Sequence, residues 1–268
     1  MKKTILVPHD FTEVGDFALE HAYMISKSSN SPINLIHIVR KTSQIEEAKR
    51  KLQEIADNFI ANKTNADVQI NVDVRRGNLF KEIYNYGVEI DAYLAVMGTH
   101  GEKTVKKAMK VVKKFVKIPF ILVQSPVQHG EYDRIVVPID HDKSARIKIQ
   151  WIRYINTLFK SNVYIITHNY SDGFKQKSLA ANIKFSQNWF ERELIDYDLK
   201  VLENGKNFAD EIYNYANQVE ADLILVMTDK YREYVRDLKR AANKELFKKI
   251  PMMCVNKRTD IVKLGGFN

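Results

Sequence analysis

The sequence predicts two α/β domains in tandem, each with a doubly wound parallel sheet, and three observations lead to this prediction. Short apolar runs bounded by turn residues alternate with helical patterns along the chain. Strands that alternate with helices at this spacing are typical of parallel sheets covered on both faces. Four sequence blocks recur in the same order about 130 residues apart, a period that indicates whole domains rather than a solenoid. The 268 residues are enough for two domains of ordinary size.

The first half shows strand and helix patterns in strict alternation. Its strands are predicted at residues 5–10, 33–39, 68–74, 92–97 and 120–123. Its helices are predicted after the cap Thr12, after a capping box of Ser43 with Glu46, after Asn78, and from about Thr104 to Phe115. The resulting β-α-β-α-β-α-β-α-β pattern requires crossover connections and therefore a parallel sheet.

The second half repeats the first. The paired blocks are 5–10 with 135–140, 82–86 with 211–215, 92–97 with 221–227, and 117–119 with 249–251. This duplication predicts one domain at 1–125 and a second at 132–256. The intervening segment, which contains Pro126 and Gly130, is interpreted as a linker, and residues 257–268 as a C-terminal tail.

The composition excludes several protein classes. The chain is 45% hydrophobic and 28% charged, which is typical of a globular protein. Its apolar runs all fall short of the ~20 residues that a membrane span needs, and its start is too short for a signal peptide. The single cysteine, Cys254, excludes an intramolecular disulfide and a cysteine metal cluster. We therefore expect a cytoplasmic protein without a membrane partner.

Three motifs resemble the universal stress protein family. The first strand ends in Val7-Pro8-His9-Asp10, the fourth continues as Val96-Met97-Gly98-Thr99-His100-Gly101, and the last follows Ile118-Pro119. The resemblance extends over residues 2–125 and 132–256. It implies a tandem member with two Rossmann-like domains, each a five-stranded parallel sheet of order 3-2-1-4-5 with helices on both faces. It also implies that the domains are related by a pseudo-two-fold axis as an intramolecular pair, and it leaves a further homodimer open.

The same resemblance places a ligand site in the first domain. Its strand order reverses between strands 1 and 4, and ligands bind outside the carboxyl ends of strands at such a point. A glycine loop between a strand and a helix also suits an anion, because backbone N–H groups can approach it closely. The family's nucleotide-binding members imply that the ligand is ATP or another adenine nucleotide. By this resemblance Asp10, Val39 and Met97 would border the nucleoside, whereas the phosphates would be faced by Gly98, His100 and Gly101.

The sequence departs from the family's binding pattern in both halves. Val111 and Val112 stand where the pattern has glycine followed by serine or threonine, and valine offers neither a close backbone approach nor a hydroxyl. In the second half, Thr228-Asp229-Lys230-Tyr231 is aligned with the entire Gly98–Gly101 loop. We therefore expect an altered site in the first domain and a degenerate site without a cofactor in the second.

Each of these residues also has a purely structural alternative. Asp10 and Asp140 could order the loop that follows them, and the glycines could serve a tight strand-to-helix turn. His9, His37 and His100 lie near strand ends and could in principle gather with Asp10 around a metal. Because neighbouring strand residues point to opposite faces, we favour core or loop histidines and predict no metal site.

The sequence shows neither a nucleophile–base pair nor a P-loop, so we predict no catalytic residues and no dedicated enzyme. Lysines follow one face of the predicted helix at 103–117, a pattern typical of a solvated surface. Aromatic residues do not interleave with them, so nucleic acid is not favoured as a partner. The family resemblance implies a stress-response regulatory protein, and we predict that it binds a small-molecule ligand and an unidentified protein partner. The alternative is an adaptor that binds no nucleotide and uses the basic helix 103–117.

Overall fold

The computed structural model describes residues 3–63, 67–100, 108–109, 112–113, 118–202, 208–230 and 249–257. The chain divides into two compact units, Met1–Val127 and Gln128–Asn268. The relation between the units that the resemblance implies stays a prediction.

The first unit follows the predicted alternation of strands and helices. Its strands are β1 (Thr4–Pro8), β2 (Ile33–Val39), β3 (Ile70–Arg76), β4 (Ala92–Gly98) and β5 (Phe120–Val123). Its helices are α1 (Glu13–Ser29), α2 (Ile45–Ala61) and α3 (Leu79–Glu89). Of the predicted fourth helix, Ala108, Met109 and Val112 are described; they are helical and buried.

The sheet of the first unit has the order β3-β2-β1-β4-β5, and all its neighbouring strands are parallel. The order reverses between β1 and β4, as expected for a doubly wound sheet. Consecutive residues of β4 such as Leu94, Ala95 and Val96 are buried, which requires cover on both faces of the sheet. The predicted fold class is therefore confirmed for this unit.

Side chains at the helix starts explain where two of the helices begin. Thr12 caps α1, because its hydroxyl accepts a hydrogen bond from the backbone N–H of Gly15. The carboxamide oxygen of Asn78 caps α3 in the same way, at the point where this helix was predicted to begin. The capping box predicted from Ser43 and Glu46 is wrong. Residues Thr42–Gln44 form a 3₁₀ turn instead, and the Gln44 side chain accepts a hydrogen bond from the backbone N–H of Lys41 at 3.0 Å.

The second unit contains the same succession of elements. Its strands are β6 (Arg134–Pro138), β7 (Asn162–His168), β8 (Tyr197–Leu202), β9 (Leu223–Met227) and β10 (Met252–Val255). Its helices are α4 (Ile147–Phe159), α5 (Gly173–Arg192) and α6 (Phe208–Gln218). A 3₁₀ turn at Lys143–Arg146 precedes α4.

The sheet of the second unit repeats the order of the first. Its strands lie in the order β10-β9-β6-β7-β8, and all its pairings are parallel. Cys254 is fully buried in β10, and burial raises the pKa of its thiol. Both tryptophans of the chain, Trp151 and Trp189, belong to this unit.

Candidate functional site

A crevice of about 300 Å³ opens at the carboxyl ends of β1 and β4 in the first unit. Four of the predicted site residues line it: Asp10, Met97, Gly98 and His100. This is the reversal point of the strand order, where the loops after neighbouring strands run in opposite directions and leave a gap. The topology therefore brings Asp10 and His100 together across 90 residues of sequence.

The loop from β1 to α1 is ordered by its own polar groups. The backbone N–H of Phe11 donates to Nδ1 of His9 at 3.1 Å, so the proton of the neutral imidazole lies on Nε2. That Nε2 donates to Asp16 at 3.1 Å. Burial lowers the pKa of His9 and outweighs the attraction of Asp16, so this contact is a hydrogen bond rather than an ion pair.

Phe11 occupies an unusual backbone conformation in this loop. Its φ of 62° lies in the left-handed region, which costs free energy for an aromatic residue. Its ring lies 4.1 Å from the ring of His37, and the ammonium group of Lys51 lies 4.7 Å from the Phe11 ring centroid. His37 is in turn held by its Nδ1, which donates to the backbone carbonyl of His9 at 2.7 Å. These contacts offset the backbone strain and fix the loop above the strand end.

Asp10 makes hydrogen bonds with both of its carboxylate oxygens. The hydroxyl of Thr12 donates to Oδ1 at 2.5 Å, and Nε2 of His100 lies 3.0 Å from Oδ2. Partial burial acts to raise the pKa of Asp10, but the bonds from Thr12 and His100 outweigh it and lower the pKa. An ionised carboxylate can only accept, so Nε2 of His100 carries the proton. The same Nε2 lies 3.1 Å from the hydroxyl oxygen of Thr12.

Gly98 is required by packing against α1. A Cβ atom at this position would lie 2.5 Å from the backbone carbonyl oxygen of Val14, a distance that real Cβ atoms do not adopt. Gly15 has a similar role, because a Cβ there would lie 3.0 Å from Nε2 of His9 and 3.2 Å from Oδ1 of Asp10. Gly98 therefore has a structural role of the kind considered in the sequence analysis. The strand end must approach α1 closely, whether or not a ligand is bound.

The remaining predicted residues are placed as follows. Val39 is buried at the end of β2, one residue beyond Ile36, His37 and Ile38, which line the crevice. Gly101 and Val111 lie outside the described residues. Val112 is 0% exposed, so its side chain belongs to the core and is not available to a phosphate.

Helix α3 supplies crevice residues that the sequence argument missed. Leu79, Phe80 and Ile83 all line the crevice, and Leu79 is exposed at 48%. Their apolar spacing was visible in the sequence. Because α3 follows β3 in a parallel sheet, its first turn must lie at the same edge as Asp10, and this topological argument would have found them.

The strand registers correct the alignment of the two halves at the glycine loop. Gly98 pairs with Val123 in β5, whereas Met227 pairs with Val255 in β10. The next residues, Thr99 and Thr228, donate their N–H groups to these same two partners, at 2.9 and 2.8 Å. Met227, not Thr228, therefore corresponds to Gly98. His100 then corresponds to Asp229 and Gly101 to Lys230, because the second half is one residue shorter up to this point.

In the second unit, the carboxylates at the corresponding edge are paired with lysines. Nζ of Lys257 lies 2.8 Å from Asp229 and 3.1 Å from Asp142, and Nζ of Lys230 lies 4.0 Å from Asp140. Asp140 also accepts a hydrogen bond from the backbone N–H of Asp142 at 3.0 Å, which is the loop-ordering role considered for it above. Lys257, assigned by sequence to the tail, is part of this cluster; residues 258–268 lie outside the described residues.

A buried lysine adds to this cluster. Lys148 of α4 is 3% exposed and donates to the backbone carbonyl of Pro138, the last residue of β6. Burial lowers the pKa of Lys148 to about 8, although Asp140 and Asp229 act to raise it. The first unit has a crevice at the carboxyl ends of its strands. In the second unit, lysine side chains lie at the corresponding edge of the sheet.

Three further predictions concern a metal site, a membrane span and the lysines at 103–117. Among the described residues, no group of three or more histidine, cysteine or acidic side chains is arranged to hold a metal ion. Within the same residues, no helix has the length and apolarity to cross a membrane. Of the lysines at 103–117, Lys113 alone is described; it is exposed, and the rest of the predicted stripe lies outside the described residues.

Comparison with known proteins adds the family. Residues 1–115 match the model of the universal stress protein family. The first half of the chain belongs to the universal stress protein family. The resemblance seen in the sequence is therefore confirmed.

Solved structures support the fold over the whole chain. A universal stress protein from Archaeoglobus fulgidus is 16% identical with a TM-score of 0.72, and the match covers 96% of this chain and 97% of that one. A putative universal stress protein from Pseudomonas aeruginosa is 14% identical with a TM-score of 0.65, covering 95% and 93%. At such identities the likeness concerns the fold alone. A comparison with curated proteins gives no significant match.

Proposed function

We propose that the chain is a stress-response regulatory protein whose first unit binds ATP or another adenine nucleotide. The observation that carries this proposal is the crevice at the strand-order reversal, where Asp10, Met97 and Gly98 converge. Its volume is at the lower end of those found for small-molecule sites. Its walls combine apolar side chains from β2 and α3 with a few polar groups, which is the usual composition of such sites.

The proposed pose follows from the chemistry of these walls. Ile36, Ile83 and Met97 offer an apolar surface to a base, and the carboxylate of Asp10 offers acceptors to nucleoside hydroxyl or amino groups. The phosphates would extend toward the loop after Gly98. The proposed role is binding and regulation rather than catalysis. A cytoplasmic location and an absence of cofactor in the second unit remain predictions.

The test is isothermal titration of the full chain with ATP. Asp10→Asn keeps the size of the side chain but removes its charge, and a hydrogen bond to a charged group contributes about 1.5–3 kcal/mol. We expect the affinity for ATP to fall about tenfold or more. Asp140→Asn is the matched control, because Asp140 follows β6 as Asp10 follows β1, and it should leave the affinity unchanged.

Two results would contradict the proposal. Wild-type protein that does not bind ATP or adenosine at millimolar concentration would favour the adaptor alternative. An equal loss of affinity in Asp10→Asn and Asp140→Asn would place the nucleotide elsewhere.

A further inference from the structure

The environment of Asp10 raises a difficulty for nucleotide binding. Both of its carboxylate oxygens already accept hydrogen bonds, from the hydroxyl of Thr12 and from Nε2 of His100. The family resemblance would place His100 against phosphates, but in the structure His100 is directed at the carboxylate that is meant to receive the nucleoside. Each carboxylate oxygen can accept a second hydrogen bond, but a ligand hydroxyl that reaches Oδ2 from the side on which His100 lines the crevice must displace the His100 N–H group.

We infer that His100 is a latch that competes with the ligand for Asp10, so that it weakens ligand binding instead of supporting it. This inference rests on the proposed function, and it specifies how the site is regulated. The three residues Asp10, Thr12 and His100 are called the Asp10 latch below. The latch is closed when Nε2 of His100 donates to Asp10 and open when His100 has moved away.

The exposure of the latch leaves room for it to open. The side chains of His100 and Asp10 are exposed at 39% and 56%, so water can replace either partner. Exposed pairs of this kind contribute little net free energy, which allows opening at ordinary temperature. Thr12 differs from His100 because its hydroxyl oxygen also caps α1. We therefore assign the movable part of the latch to His100 and the fixed part to Thr12.

The strength of the competition follows from one hydrogen bond. A net contribution of about 0.5–1.5 kcal/mol for the His100–Asp10 bond lowers the apparent affinity about threefold to tenfold. The apparent dissociation constant is inversely proportional to the fraction of molecules in which the latch is open. A device of this size tunes the ligand concentration at which the site fills, without abolishing binding.

The test compares two ligands in two variants of the full chain. Adenosine and ATP are titrated into wild-type protein, His100→Ala and His129→Ala. His129 is the matched control, since its Nδ1 is also paired with an aspartate, Asp222, at 2.5 Å but in the second unit. For His100→Ala we expect adenosine and ATP to bind about threefold to tenfold more tightly. For His129→Ala we expect no change.

The two ligands separate the latch from a phosphate-binding role. If His100 binds phosphates, His100→Ala should weaken ATP binding and leave adenosine unchanged, and this result would overturn the latch. Unchanged or weaker binding of adenosine would overturn it as well.

A ligand-free measurement distinguishes failure of the latch from failure of the proposed function. The Asp10 carboxyl carbon is titrated by NMR in wild-type protein and in His100→Ala. Because His100 stabilises the ionised carboxylate, its removal should shift the Asp10 titration to higher pH. An unchanged titration would overturn the latch. If neither adenosine nor ATP binds wild-type protein or His100→Ala, the nucleotide proposal fails and the competition fails with it, even where the titration shifts. If wild-type protein binds adenosine but His100→Ala does not bind it more tightly, the latch alone fails.

Discussion

The two units place an aspartate at the same point of the same fold and give it different partners. Asp10 follows β1 and is held by a hydroxyl and a histidine, beside an open crevice. Asp140 follows β6, and the lysines Lys148, Lys230 and Lys257 approach it and its neighbours Asp142 and Asp229. A duplicated fold therefore preserves where polar groups converge, whereas the local sequence decides whether the place stays open to a ligand.

The difference begins with the residue at the end of the fourth strand. In the first unit this residue is Gly98, and the absence of a side chain lets the strand end approach Val14. In the second unit it is Met227, which is buried at 3% exposure. A side chain at this strand end does not fit the close approach that Gly98 makes to Val14, so the two edges must differ at this point.

The largest effect is expected when a side chain is introduced at the glycine of the first unit. Gly98→Val should destabilise that unit by about 3 kcal/mol or more, because the Val14 carbonyl is backbone and cannot turn away. Amide hydrogen exchange in β4 measures the loss. Gly173→Ala is the control, since a Cβ there meets no atom within 4 Å, and it should leave exchange in β4 unaltered. Normal exchange in Gly98→Val would show that packing does not require glycine at this position.

The second effect concerns the buried lysine of the second unit. The pKa of Lys148 is about 8 in the folded protein against 10.5 in a model peptide. Below pH 8 the folded state carries the cost of a buried charge, and the cost disappears as pH rises from 8 to 10.5. Over this window the free energy of unfolding of the second unit should rise by up to about 3 kcal/mol relative to Lys148→Met.

Tryptophan fluorescence during urea unfolding follows this unit selectively, because Trp151 and Trp189 both lie in it. The comparison between wild type and Lys148→Met removes the contribution of tyrosines that titrate in the same range. If the free energy of unfolding depends on pH in the same way in both proteins, the lowered pKa of Lys148 is contradicted.

The smallest effect is acid sensitivity confined to the first unit. His21 is buried at 2% exposure and is paired with the backbone carbonyl of Ser125 at 3.1 Å; burial lowers its pKa to about 4. The unfolded chain binds a proton below pH 6.5 and the folded one does not, so stability falls as pH decreases. Between pH 6.5 and 5 the loss should be about 2 kcal/mol.

His21→Gln keeps an N–H donor but does not titrate, so its stability should not show this loss. Amide exchange in α1 at the two pH values makes the measurement, with α4 of the second unit as the internal reference. If wild type and His21→Gln lose equal stability, another group is responsible for the acid sensitivity.

Sequence patterns predicted the strands and helices because each of these elements carries its own local information, whereas the strand order came from the family resemblance. Apolar runs such as Leu94–Val96 and caps such as Thr12 and Asn78 specify their elements without long-range contacts. The family motif placed Asp10 and Gly98 at one edge because the order of a parallel sheet decides which loops meet.

Details that depend on distant contacts were not predictable in this way. The reason for glycine at position 98 is the backbone of Val14, and the partner of Asp10 is His100, 90 residues later in the chain. The alignment of the second half with the Gly98–Gly101 loop was wrong by one residue, because sequence similarity alone placed Thr228 opposite Gly98. The strand pairs of β9 with β10 were needed to correct it.

The buried thiol in β10 makes it possible to measure how often the second unit opens. Cys254 is the only cysteine, it is 0% exposed, and burial raises its pKa, so the thiolate that reacts with a disulfide reagent is scarce in the closed unit. Modification by such a reagent must wait until β10 separates from its surroundings. The rate at which wild-type protein is labelled therefore reports how often the second unit opens. A change in this rate on addition of ATP would show that ligand binding in the first unit alters the stability of the second.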